Sequence, residues 1–240
     1  MKKNVNLQVV GFFGQSGAGK TTIIRNVTTP VNGKIILQNT GIIRYLFQKN
    51  DYYVNAVDLY TRIESTLSEM KPQEKNSKID ETYEKYIRSQ FQLLNDFSTE
   101  IFLAYRENYV DKSILLVDRS PIDFYAITIG GLTFLQSKLN KPLSAHSALL
   151  LDLLKKTAET NTKNFFDAVI VTKPWQIIEK MSELEDGIRD QYLSEWYTGE
   201  NWYSRLDDVN IDGVKTFEIS ESVKNLKSRA ELVELYVTGI

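Results

Sequence analysis

Apolar and polar positions follow two rhythms along this chain, and the switches between them outline an α/β protein. Short apolar runs of strand length occur at Leu7–Phe13, Gly33–Gln38, Ser113–Asp118, Phe166–Thr172 and Lys215–Ser220. Such runs predict strands buried on both faces, because helices cover a parallel sheet above and below. The second run follows a turn signal at Pro30–Gly33 and reads as a short buried strand. Asn39, Thr40 and Gly41 then lead into a helix from near Ile42. From Asp58 to Arg106 the chain is charged, and Tyr83, Tyr86, Ile87, Phe91, Leu94, Phe97, Ile101 and Leu103 recur at helical spacing. This predicts one or two long helices, with the polar segment Lys71–Asp80 as the break. Pro121–Leu135 predicts a helix interrupted at Gly130 and Gly131. Leu143–Glu159 predicts an amphipathic helix, Ile177–Asp208 a charged helical stretch rich in aromatics, and the last twenty residues a closing helix. Strands alternating with helices make an α/β three-layer sandwich, with a five-stranded, mainly parallel sheet and helices on both faces. No repeat or linker divides residues 1–240, so one domain is expected.

The first apolar run stops at Gly14, and Gly14–Thr21 reads GQSGAGKT, a full match to the phosphate-loop pattern G-x-x-x-x-G-K-[ST]. Glycines let the backbone turn successive N–H groups inward around an anion. The expected ATP phosphate site is Gly14, Gln15, Ser16, Gly17, Ala18, Gly19, Lys20, Thr21 and Thr22. Lys20 would reach the outer phosphates and Thr21 would ligate Mg²⁺. Asp118 ends a buried strand, where open α/β sheets bind their ligands, and is the second expected metal contact. The pattern does not separate metal ligand from general base at Asp118.

Composition narrows the picture. With 29 basic and 31 acidic residues the formal charge is -2, so no global positive field drives binding to nucleic acid. The absence of cysteine excludes disulfides and thiolate metal sites and fits a reducing compartment. His146, the single histidine, has no second member for a triad or metal cluster. No stretch approaches the roughly 20 apolar residues of a membrane helix, and the amino-terminal run enters the phosphate loop instead of a cleavage site. A cytoplasmic protein is expected. Richness in Asn, Lys and Ile fits an AT-rich, phage-encoded gene, whose product would work in the host cytoplasm.

With GQSGAGKTT at the amino terminus, VDRSPIDFYA (Val117–Ala126) resembles the P-loop nucleoside and nucleotide kinases, the group containing thymidylate kinase and the deoxynucleoside kinases. The resemblance implies ATP and Mg²⁺ as cofactors, Asp118 acting on metal or acceptor hydroxyl, and Arg119 reaching the acceptor. A structural ion pair is the other reading of Arg119. Lys173–Trp175 and Glu185–Arg189 are similar to the ribosylnicotinamide kinases, which implies a helical lid over about residues 176–210, a hinge at Gly187 and a catalytic Arg189 that closes on the phosphates. Arg205 is the weaker candidate for the same task. Asn39–Arg44 is similar to the acceptor-gripping Thr-Gly-x-x-x-Arg of adenylate kinases with its arginine one residue early, which makes Thr40 and Arg44 candidates. Arg88, Gln90 and Gln92 lie where relatives contact sugar, phosphate or base, and are otherwise exposed polar positions of a helix.

The expected activity is transfer of the ATP γ-phosphate to a nucleoside or nucleotide acceptor. One alternative keeps the chemistry and makes DNA the partner, as in bacteriophage kinases of hydroxymethylated bases. Its support is the aromatic set Trp175, Trp196, Tyr197, Trp202 and Tyr203, which serves either as a stacking platform or as packing. The other alternative is an ATPase coupled to a partner. That class usually carries a Glu beside the strand-end Asp, where Arg119 and Ser120 stand here. Oligomeric state is open, a homodimer included, and no membrane contact is expected.

Overall fold

β1 (Leu7–Phe13) is the middle strand of a five-stranded parallel sheet ordered β2-β3-β1-β4-β5. The computed structural model describes residues 7–15, 17–28, 30, 33–42, 45–46, 54–103, 113–174 and 200–239. The other strands are β2 (Ile35–Asn39), β3 (Ser113–Val117), β4 (Ala168–Thr172) and β5 (Lys215–Ile219). Every pairing is parallel, so all carboxyl ends open on one edge of the sheet.

Strand side chains alternate between two cores. Leu7, Val9, Phe13, Leu115, Val117, Val169 and Val171 face one, while Val10, Phe12, Ile114, Leu116, Ala168 and Ile170 face the other. The first core is covered by α2 (Ala56–Leu67), α3 (Pro72–Phe102), α4 (Pro121–Leu139), α5 (Ala145–Phe165) and α6 (Glu200–Asp207). The second is covered by α1 (Lys20–Asn26) and α7 (Leu226–Thr238). This is the three-layer α/β sandwich of the phosphate-loop proteins, with the loop joining β1 to α1. Among the described residues no helix is long and apolar enough to cross a membrane.

Three expectations change. Lys71–Asp80 is no break, because Pro72 opens α3 and the Glu74 carboxylate accepts the Lys71 N–H at 3.4 Å. Its first two turns are largely exposed, so they carry no apolar period to reveal them. Gly130 and Gly131 do not interrupt α4, and Gly131 lets α3 approach. A Cβ at Gly131 would overlap the Tyr86 phenol, whose hydroxyl donates to the Ile127 carbonyl at 3.2 Å. β2 and β5 are not fully buried, as they lie at the two sheet edges, with Ile35 54% exposed and Lys215, Thr216 and Glu218 exposed. The lid expected over residues 176–210 lies mostly outside the described residues; its carboxyl part forms α6 and then a turn.

Candidate active site

The carboxyl ends of β1, β2 and β3 bring the phosphate loop, Asn39 and Asp118 to one place. Asp118 follows β3 directly, and its N–H donates to the Asn39 carbonyl at 2.9 Å. The Asn39 side chain is buried and accepts the Ile42 N–H at 3.2 Å, and Thr40, the next residue, is half-buried.

In the loop itself, Gly17 (φ 76°) and Gly19 (φ 81°) adopt left-handed backbone that side-chain-bearing residues rarely take. Gly19 begins α1, whose amino terminus has no side-chain cap and no acidic residue in its first turn, as an anion site requires. Gln15 and Ala18 are buried, Gly17 and Thr22 are exposed, and Ser16 lies outside the described residues.

Lys20 is buried, and its ammonium donates to the carbonyls of Gly14 (2.7 Å) and Gln15 (2.9 Å). Burial, with the positive charge of Arg119 second, pushes its pKa down to about 7, while Asp123 and Asp118 act in the opposite sense. A polyphosphate in the cradle would supply the negative charge this amine lacks.

The Thr21 hydroxyl donates to the Asp118 carboxylate. Among the described residues no group of three or more acidic, His or Cys side chains could hold a metal. A cation here would take this hydroxyl and carboxylate and complete its shell from phosphates and water, the habit of Mg²⁺. The oxygen-only pair fits that ion.

Arg119 sits at φ 125°, a conformation uncommon for a side-chain-bearing residue. Its guanidinium donates to the Gly14 carbonyl (3.0 Å) and the Asp123 carboxylate (3.1 Å), and its side chain is 17% exposed. In this state Arg119 is therefore tied to the phosphate loop and to Asp123.

The other expected contacts divide. Arg88 is exposed and 3.8 Å from Glu84. Gln90 is buried and donates to the Val54 carbonyl at 3.4 Å, which fastens the chain ahead of α2 to α3; that burial is a packing role. Gln92 is exposed and donates to Asp96 at 3.1 Å. Arg44, Arg189, Trp175, Gly187, Trp196 and Tyr197 lie outside the described residues. His146 is exposed, 3.6 Å from Glu84.

The aromatics of α6 turn inward. Trp202 is 1% exposed and stacks on Phe13 with centroids 6.0 Å apart, so it is packing and no platform. Arg205 is buried too, donating to the Ala126 carbonyl at 2.6 Å with its guanidinium over the Trp202 ring, which turns it away from any phosphate. Tyr203 meets Phe13 edge-on and donates its hydroxyl to the Thr172 carbonyl at 2.8 Å. Burial raises its pKa, and a hydrogen bond from the Gln15 backbone opposes the rise. Tyr203 thus joins the end of β4 to the phosphate loop.

Sequence reasoning passed over Asp123 and Arg229, and weighed Tyr203 only as one of the aromatics. Arg229 is fully buried and donates to the carbonyls of Lys173 (2.7 Å), Ser220 (3.0 Å) and Val223 (2.6 Å), holding together the turns after β4 and β5. Burial pushes its pKa down to about 10. The one usable signal among the three was Ser120-Pro-x-Asp123, a helix-start pattern. Tyr203 and Arg229 carry none, because their partners come from distant segments.

No family model matches the chain, and no curated protein matches it in sequence. Among solved structures it is similar to thymidylate kinase from Candida albicans, at 11% identity and a TM-score of 0.45, over 98% of this chain and 92% of that one. At that distance the chemistry of the site rests on its own residues.

Proposed function

We propose that this chain is a Mg²⁺-dependent phosphotransferase that moves the γ-phosphate of ATP to a nucleoside, a nucleotide or a related hydroxyl or phosphate acceptor. The observation that carries the reading is the Thr21–Asp118 contact beside the buried Lys20 ammonium, inside a loop whose glycines are turned for phosphate. Thr21 and Asp118 would hold Mg²⁺, which, when bound, neutralises charge on the β- and γ-phosphate oxygens. Lys20 exchanges the carbonyls of Gly14 and Gln15 for the same oxygens and is charged when it does so. Arg189, from the lid, closes on the transferring group, and Arg119 reaches the acceptor, each as a guanidinium fork. The acceptor enters over the ends of β2 and β3, beside Thr40.

Transfer is favoured over hydrolysis because Arg119 and Ser120 follow Asp118, where ATP-driven motors place a water-activating Glu. A transferase gains by keeping water out, which is the task of the lid. The test uses γ-labelled ATP with Mg²⁺, without acceptor, with nucleosides and nucleoside monophosphates, and with DNA bearing ordinary or hydroxymethylated bases. Label on one acceptor class supports the reading and names the substrate. Hydrolysis at one rate under every condition would leave an ATPase.

A further inference from the structure

Asp123 is fully buried in the first turn of α4, and four donors converge on its carboxylate. The Ser120 N–H (2.8 Å) and hydroxyl (2.7 Å) meet Oδ2. The Arg119 guanidinium (3.1 Å) and the Gly14 N–H (3.4 Å) meet Oδ1. A helix cap needs only the Ser120 contacts. The second oxygen instead reaches 109 residues back to the residue that opens the phosphate loop.

Arg119 closes the figure, since the nitrogen that meets Asp123 also donates to the Gly14 carbonyl at 3.0 Å. Both backbone polar groups of Gly14 are thereby held by the Asp123–Arg119 pair. On its other side Gly14 packs against the end of β4, where a Cβ would come 2.5 Å from the Thr172 carbonyl. The Gly14 carbonyl is also one of the two that hold the Lys20 ammonium. Asp123 and Arg119 therefore fix the point from which the loop and its lysine are hung.

We propose that Asp123 is a positioning residue, setting the phosphate loop for its nucleotide through Gly14 and Arg119. The inference rests on the reading of the loop as an ATP site. It also explains the residue type. Gly14, Arg119 and the Ser120 N–H can only donate, so the position demands a group that only accepts. An asparagine would turn its NH₂ against donors in either orientation.

The test is calorimetric titration of the full chain with the Mg²⁺ complex of the β,γ-imido analogue of ATP, with no acceptor present. Three proteins are compared: wild type, Asp123→Asn and Ser144→Ala. Ser144 caps α5 through the Ser147 N–H at 3.1 Å, away from the loop, and serves as a plain cap deletion. Both variants should lower the thermal midpoint. Only Asp123→Asn should weaken the analogue, by about tenfold or more, the scale of a lost charge-assisted hydrogen bond. Analogue affinity of Asp123→Asn within about twofold of wild type would reduce Asp123 to a cap and overturn the proposal. Should Asp123→Asn fail to fold, Arg119→Gln breaks the same tie from its partly exposed end. Weakened analogue binding in that variant supports the proposal, and wild-type affinity overturns it. A wild-type chain that does not bind the analogue removes the ATP-site reading itself, a result distinct from equal binding by wild type and variant.

Discussion

The Thr21 hydroxyl donates to the Asp118 carboxylate across the gap between the first turn of α1 and the carboxyl end of β3. The two residues are 97 positions apart in sequence, and the parallel register of β1 and β3 brings them together. Nothing in the packing of the core requires this contact, as both side chains are only partly buried. Thr21→Ala and Asp118→Asn should each lower turnover by roughly 100-fold or more and raise the Mg²⁺ concentration needed for half-maximal rate. Thr21→Ser, which keeps the hydroxyl, should retain most activity. Titration of the rate with Mg²⁺ measures all three, and an unchanged Mg²⁺ dependence in Asp118→Asn would remove Asp118 from the metal site.

Lys20 should destabilise the nucleotide-free protein. Its folded pKa of about 7 lies below the ordinary lysine value of 10.5, so above pH 7 the unfolded chain binds more protons and stability rises with pH up to about 10.5. Lys20→Met removes that dependence and should be the more stable protein at pH 7, by a few kcal/mol at most. The difference between the two should shrink as pH rises through this window. Urea midpoints at several pH values give the comparison, and a constant difference would mean that the amine is not buried as described.

Trp202 belongs to the core. Trp202→Ala should lower stability by about 3–5 kcal/mol through loss of the stack on Phe13 and the cavity left behind. Binding of single-stranded DNA should not change with it. A stable Trp202→Ala protein with weakened DNA binding would restore the platform reading.

Gly131→Ala should destabilise by about 1–3 kcal/mol, because the added methyl meets the Tyr86 phenol. Tyr86→Phe in the same chain removes the nearest atom and should recover part of the loss. Thermal unfolding of the two single variants and the double variant tests this, and additive losses would contradict the contact.

What the chain disclosed from its pattern was the part governed by local rules. Five apolar runs marked the strands, and Gly14–Thr21 with Asp118 marked the phosphate site, because a loop motif and a strand-end carboxylate are short-range signals. Asp123 went unremarked, since the partner that gives it meaning, Gly14, is 109 residues away. Gly130 and Gly131 read as a break because a close approach by Tyr86 leaves no trace in the sequence of α4. The exposed start of α3 hid for the opposite reason, having no buried face there to impose a period. Trp202 and Arg205 could be read as functional because burial, which the sequence does not display, is what withdraws them.

The most direct test of the central claim is ATP turnover by Lys20→Ala, with the thermal midpoint measured on the same sample. The account predicts that turnover is abolished while cooperative unfolding is kept, since Lys20 serves the phosphates and not the core. Normal turnover in a folded Lys20→Ala protein would contradict the phosphate-loop site on which the functional reading depends.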